Sequence, residues 1–199
     1  MAYLAERGFP VPAVHAVEGR DMVIERLEGR TLLDAIGRRP WRTSEHAAIL
    51  ADLHQRLHRI PAPPFLERGT DAGDAILHLD LHPRNVVMTT RGPVVIDWTS
   101  AARGSGSVDV ALTWLILVSA KVPGGPIGRA LAKFFGRRFV RAFLAHFDHA
   151  DVAAKLPIAA RYRLDDDELG DPERDAVREA LERLHRKEAR HGHPFELTI

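Results

Sequence analysis

The sequence predicts an α+β fold, a mostly helical body around one small β-hairpin with a thin β-containing portion at the N-terminus. Three observations lead there. Apolar residues recur at helical spacing over 43–60 and again after residue 109. Short β-branched runs separated by turn residues occupy the first 30 residues and the stretch 75–97. A composition of 45% hydrophobic and 28% charged residues is that of a folded chain rather than a disordered one. At 199 residues the chain can hold one buried core, or one full lobe with a remnant of another.

The elements follow in order. Ala2 to Arg7 reads as helix and stops at Gly8, where Pro10 and Pro12 impose an extended path. Val14–Val17 and Met22–Ile24 form two strands around the turn Glu18-Gly19-Arg20-Asp21, and Thr31 to Ile36 a short helix. Thr43 or Ser44 caps the next helix, where Leu50, Leu53, Leu57 and Ile60 make a stripe that should be buried. His54 and His58 share that broad face; they are conceivable as a metal pair, but the local sequence places no third ligand and a packed helix explains the pattern. Ala75–Leu77, Val86–Met88 and Val94–Ile96 are strands, the last two joined through Thr90-Arg91-Gly92-Pro93. Beyond Asp109 the chain is helical again. Val110–Ala120 is about half the roughly 20 apolar residues of a membrane span, so it reads as a buried helix. Residues 127–147 carry phenylalanines at core-like spacing with arginines outside, a pattern that also suits a membrane-surface helix. The last helix is capped by Asp171, with Pro172 in its first turn and Ala176, Ala180, Leu181 and Leu184 as its apolar side.

The bulk numbers exclude several functions. A formal net charge of +1 calls for neither nucleic acid nor an anionic membrane as partner. Cysteine is absent, which removes disulfides, thiol nucleophiles and thiolate metal sites and fits a cytoplasmic location. No basic segment precedes an apolar run at the N-terminus, so a signal peptide is not expected.

The chemistry concentrates in Leu77-His78-Leu79-Asp80-Leu81-His82-Pro83-Arg84-Asn85 and in Ile96-Asp97-Trp98. Asn85 immediately precedes one strand and Asp97 follows its hairpin partner, so antiparallel pairing brings the two to one end of the ladder. Their hard oxygens suit Mg²⁺ shared with substrate phosphates. Asp80, in a loop stiffened by Pro83, is placed to orient and deprotonate an attacking hydroxyl. Two other readings stay open on these residues alone: the carboxylates and Asn85 satisfy turn backbones, or His78, Asp80 and His82 bind zinc.

The string His78-Leu79-Asp80-Leu81-His82-Pro83-Arg84-Asn85 resembles the H-x-D-x-x-x-x-N catalytic loop of the aminoglycoside phosphotransferase and choline kinase-like family, relatives of the protein kinases. Ile96-Asp97-Trp98 is similar to that family's metal-binding I-D-W, and Ser107-Val108-Asp109-Val110-Ala111 to its D-x-A element. Gly8-Phe9-Pro10-Val11-Pro12, Met22 to Gly29 and Leu50-Ala51-Asp52-Leu53-His54 resemble further family segments in the same order. The resemblance implies a protein kinase-like fold, with residues 1–29 as the remnant of an N-terminal lobe and interlobe connection and 30–199 as the helical C-terminal lobe. It implies ATP as co-substrate, Mg²⁺ as cofactor and a small hydroxyl-bearing acceptor, aminoglycoside-like, choline-like or a sugar. In that scheme Asp80 is the base, Asn85 and Asp97 hold the metal, Glu25, Arg26 and Leu27 offer backbone to adenine, and His78 and Asp109 support the loop. His82 supports the loop or touches substrate.

The family also has a phosphate-covering loop, a lysine and a glutamate that pairs with it. The four lysines here stand at 121, 133, 155 and 187, and Glu6 lies too close to the Gly-x-Pro segment to be that glutamate. Arg7 and Arg20 are the candidate replacements, poorly matched to a site built for a compact ammonium. The expectation is therefore a truncated or wrongly started kinase, with a nucleotide-binding or protein-interacting pseudokinase as the alternative. Oligomeric state is not legible.

Overall fold

The computed structural model describes residues 1–19, 21–69, 71–120, 125–166 and 169–191. Its elements are α1 (Ala2–Ala5), β1 (Val14–Glu18), β2 (Asp21–Ile24), β3 (Arg30–Thr31), α2 (Leu32–Arg38), α3 (Thr43–His58), β4 (Ala75–Leu77), β5 (Val86–Thr89), β6 (Gly92–Val95), β7 (Ala102–Gly104), α4 (Gly106–Ser119), α5 (Pro126–Leu144), α6 (His149–Leu164) and α7 (Asp171–His191). The architecture is the α+β, mostly helical one that the sequence predicts.

Three small antiparallel sheets carry the loops. β1 pairs with β2 from Glu18↔Asp21 to Val14↔Ile24, which leaves two residues for the turn: Gly19, at φ +63°, and Arg20, which lies outside the described residues. β5 pairs with β6 from Val86↔Val95 to Thr89↔Gly92, and β3 adds to the other edge of β5. β4 pairs with β7. β3 and β7, two and three residues long, carry no alternation of their own and were not expected from the sequence. Pairing alone makes them strands.

The helical body forms around α3 and α4. Leu50, Leu53 and Leu57 of α3 are fully buried, each worth about 1.5–3 kcal/mol of transfer free energy, while Ile60 beyond the helix end is only half-buried. α4 is buried from Val108 to Leu115, as its uniformly apolar sequence requires. α5 is one helix through Gly136, and Phe139 and Phe143 are buried in the core, which overturns the membrane-surface reading of this face; Phe134 stays exposed. α6 packs against α4 and was not anticipated. Among the described residues no helix is long and apolar enough to cross a membrane.

Helix starts differ from expectation in two places. Thr31 caps α2 through a reciprocal box with Asp34, as Ser, Thr and acid pairs do. Thr43, by contrast, is already the first residue of α3, and its hydroxyl donates to Pro40 O, because a 3-10 turn over Pro40–Arg42 leads directly into the helix. Asp171 likewise lies inside α7 rather than ahead of it.

Candidate active site

The loop between β4 and β5 is built on hydrogen bonds to its own and neighbouring backbone. Asp109, in the first turn of α4 and wholly buried, accepts the main-chain N–H groups of His78 at 3.1 Å and Leu79 at 2.8 Å. Leu79 is thereby held at φ +63°, a left-handed conformation unfavourable for a branched side chain and stable only where surrounding bonds over-determine it. His78, also wholly buried, accepts the Asp80 N–H at Nδ1 over 3.2 Å. Its hydrogen is therefore on Nε2, which donates to Ile96 O at 2.9 Å. With both ring nitrogens committed, His78 cannot ligate zinc, and the zinc reading of His78, Asp80 and His82 falls.

Asp80 comes out on the opposite side of the loop. Asn85 donates from Nδ2 to both the main-chain O and Oδ2 of Asp80, each at 2.9 Å. Since both partners are acceptors, the amide nitrogen must face them, and Asn85 Oδ1 points elsewhere. His82 accepts the Arg84 N–H at Nδ1 over 3.2 Å, which leaves Nε2–H facing Asp80 Oδ1 at 3.5 Å. Burial lowers the His82 pKa below its ordinary value, against the pull of Asp80, so at neutral pH the ring is a neutral donor.

Asp97 reaches the same place from the other arm. β5 and β6 end together at Val86↔Val95, and Ile96 N–H continues the ladder by donating to Asn85 O at 3.0 Å. The chain then turns through Asp97 at φ +63°, where Thr99 donates to Asp97 Oδ1 at 3.0 Å. Trp98 fixes the turn from behind, with Nε1 donating to Val95 O at 3.0 Å and its ring against His78 at 4.6 Å.

Asp80 and Asp97 both line a cleft of about 1190 Å³, whose far wall is α6 and the residues following it. Arg161, Tyr162 and Arg163 contribute from α6, then Asp165 and Asp166; Asp167 lies outside the described residues. Arg161 pairs with Asp165 at 3.6 Å and Arg163 with Asp166 at 3.3 Å, so this wall carries alternating rather than uniform charge. Sequence reasoning missed Arg161, Tyr162 and Arg163. The one local signal was Asp148, whose side chain accepts the Asp151 N–H at 3.0 Å and caps α6.

Glu25, Arg26 and Leu27 lie on the β2–β3 connection and are not among the residues lining the cleft. Glu25 exchanges main-chain and side-chain bonds with Ala13 and pairs with Arg91, whose hydrogen bond lowers the Glu25 pKa. Arg7 is committed to α1, donating to Tyr3 O at 2.9 Å and stacking over the Tyr3 ring, so it does not replace a cleft lysine.

A small β portion against a helical body, with Asp80 and Asp97 on one cleft, is the arrangement of a protein kinase-like fold. Comparison with known proteins agrees. Residues 70–147, which include the whole loop and Asp97 and Asp109, match the family model of the phosphotransferase enzyme family. Among solved structures, an aminoglycoside-3'-phosphotransferase of type VIII superposes with a TM-score of 0.53 at 20% identity, covering 91% of this chain and 76% of that one. Amicoumacin kinase hAmiN in complex with AMP-PNP, Ca²⁺ and Ami gives a TM-score of 0.42 at 14% identity, over 94% of this chain and 75% of that one; at this similarity it adds nothing to the fold assignment. No curated protein matches the sequence. The central segment is thus similar to the phosphotransferase enzyme family, and the fold is that of an aminoglycoside phosphotransferase.

Proposed function

We propose that this chain transfers the γ-phosphate of ATP to a hydroxyl group of a small molecule, acting in the cytoplasm. The observation that carries the reading is the joint placement of Asp80 and Asp97 on one cleft, with Asn85 gripping Asp80 from behind.

Asp80 is the base in this reading. Asn85 holds Oδ2 and His82 faces Oδ1, so the carboxylate keeps one orientation from which to accept the proton of an acceptor hydroxyl. Asn85 Oδ1 and the Asp97 carboxylate would be the donors for Mg²⁺, and the fit rests on the amide orientation: its nitrogen is spent on Asp80, which leaves the hard oxygen uncommitted, although Asn85 itself does not line the cleft. When bound with ATP, Mg²⁺ neutralises charge on the phosphates. His78 and Asp109 position the loop through main-chain bonds and touch no substrate. By family resemblance alone, the backbone of Arg26 and Leu27, with Glu25, is the proposed purine contact; none of the three lines the cleft.

A second reading, a nucleotide-binding pseudokinase, draws on the cleft's cations. The lining arginines, Arg161 and Arg163, are each paired with an acid, and no lysine lines the cleft among the described residues. An ATP-consumption assay with a panel of amino sugars, cholines and sugars separates the two. Turnover that falls about 10²–10⁴-fold in Asp80→Ala supports the kinase. Equal turnover in wild type and variant refutes Asp80 as base, and Mg-ATP binding by calorimetry without turnover favours the pseudokinase.

A further inference from the structure

Below the loop, on the side away from the cleft, α3 and α4 bring together three ligand-type side chains. His54 and His58 lie one turn apart on α3 and face Asp109 on α4. His58 Nε2 is 3.0 Å and His54 Nδ1 3.6 Å from Asp109 Oδ2, and one ligand atom from each residue lies within 4.8 Å of the others. The sequence offered the histidine pair without a third ligand. The fold supplies it.

The protonation of His54 leaves a gap in this cluster. On its outer side Nε2 meets Leu81 O at 3.3 Å and Thr113 Oγ1 at 3.2 Å, and Thr113 already donates its hydrogen to Leu81 O at 2.8 Å. Facing two acceptors, Nε2 must carry the ring hydrogen, and a neutral imidazole has only one. His54 Nδ1 then turns a lone pair toward the Asp109 carboxylate, and it has no hydrogen-bond partner although the side chain is completely buried. A lone pair facing a carboxylate in a dry interior is repulsive unless something positive lies between them.

We propose that His54 Nδ1, His58 Nε2 and Asp109 Oδ2 bind a structural Zn²⁺ that ties α3 and α4 to the underside of the loop. Two imidazoles and one carboxylate are a zinc-type donor set rather than a magnesium one. Bonds of about 2.0–2.1 Å place tetrahedral ligand atoms about 3.3 Å apart, a value the 3.0 and 3.6 Å separations bracket. Asp109 Oδ1 remains with the Leu79 N–H. His58 is the one ligand with an exposed edge, at 14%, from which a water can complete the site. Gly106 keeps room for the ring, since a Cβ there would lie 2.6 Å from His58 Nδ1. The site lies outside the cleft and does not depend on whether the chain turns over ATP.

The test uses the tag-free 199-residue protein stripped with chelator and titrated with Co²⁺, then Zn²⁺. The expected result is a strong visible d–d band of a four-coordinate site that saturates at about one equivalent, is displaced by Zn²⁺, and accompanies a rise in melting temperature. Asp97→Asn, which removes the charge of a proposed Mg²⁺ ligand, keeps the band. His58→Gln loses it while retaining the far-ultraviolet spectrum of the folded chain. Absence of the band and of any zinc-dependent melting shift in folded wild type overturns the proposal, as does a band that persists in His58→Gln.

Discussion

Asp109 Oδ1 accepts the Leu79 N–H at 2.8 Å, and this bond lets a helix of the body set the conformation of the loop that carries Asp80. Leu79 sits at φ +63°, and the His78 N–H goes to the other oxygen of the same carboxylate at 3.1 Å. Replacing Asp109 by Ala leaves two buried N–H groups without their acceptor, at about 1–3 kcal/mol each. The expected outcome is a fall of about 2–5 kcal/mol in unfolding free energy, read from urea denaturation at unchanged m-value. A loss below about 0.5 kcal/mol would show that the carboxylate does not hold the loop.

His78 joins the two arms of the site, from the Asp80 N–H to Ile96 O. Phenylalanine preserves the ring volume and its contact with Trp98 but removes both bonds. His78→Phe is expected to cost about 2–4 kcal/mol of stability and, if Asp80 is the base, to lower kcat more than it raises KM for ATP. Steady-state kinetics beside a denaturation curve gives both numbers.

Asp97 offers a direct test of the metal. Asp97→Asn keeps the size of the side chain and an oxygen for Thr99 while removing the charge. Turnover should need a higher Mg²⁺ concentration, by about tenfold or more, with little change in thermal stability. An unaltered Mg²⁺ dependence would remove Asp97 from the proposed pair.

Acid should unfold the metal-free chain in two stages. Burial lowers the folded-state pKa of His54, so the unfolded chain takes up this proton first; the stability tied to neutral His54 is present above about pH 6.5 and is lost as pH falls below it. For Asp109, burial pushes the pKa up, but the facing histidines, with the His58 Nε2 hydrogen bond at 3.0 Å, outweigh it and hold the carboxyl well below the usual range. Its contribution is present above about pH 4 and is lost as pH falls through that lower value. Urea midpoints measured from about pH 8 to 3 should decline in both windows. A midpoint that stays flat from pH 7.5 to 5 would show that His54 does not titrate with unfolding.

Gly106 is predicted to be irreplaceable for a local reason. Its φ is not left-handed, yet an added methyl would lie 2.6 Å from His58 Nδ1. Gly106→Ala should displace the ring from Asp109 and cost about 1–3 kcal/mol, an effect visible as a shifted His58 resonance in the NMR spectrum.

Much of the site could be read along the chain because its parts are close in sequence. Asn85 and Asp97 flank one hairpin, so the β period and a tight turn suffice to bring them together, and the register Val86↔Val95 does so. The buried stripe of α3 and the apolar run of α4 follow from helical periodicity in the same way. Other features lacked a local signal. α6 carries Pro157 in its interior and buries small residues such as Ala159 and Ala160, so its pattern is weak, although it forms the far wall of the cleft.

By itself, then, the sequence determined the β1–β2 and β5–β6 hairpins, the helices α3, α4, α5 and α7, and the family resemblance of the loop, but not β3, β7 or α6. Tertiary structure alone decided that Arg161, Tyr162 and Arg163 face Asp80 across a cleft, and that Asp109 meets His54 and His58 across 51 residues or more of chain. The reason is physical. Periodicity and turn chemistry act over a few residues, whereas a buried carboxylate must find its partners wherever packing brings donors, and packing is a property of the whole core.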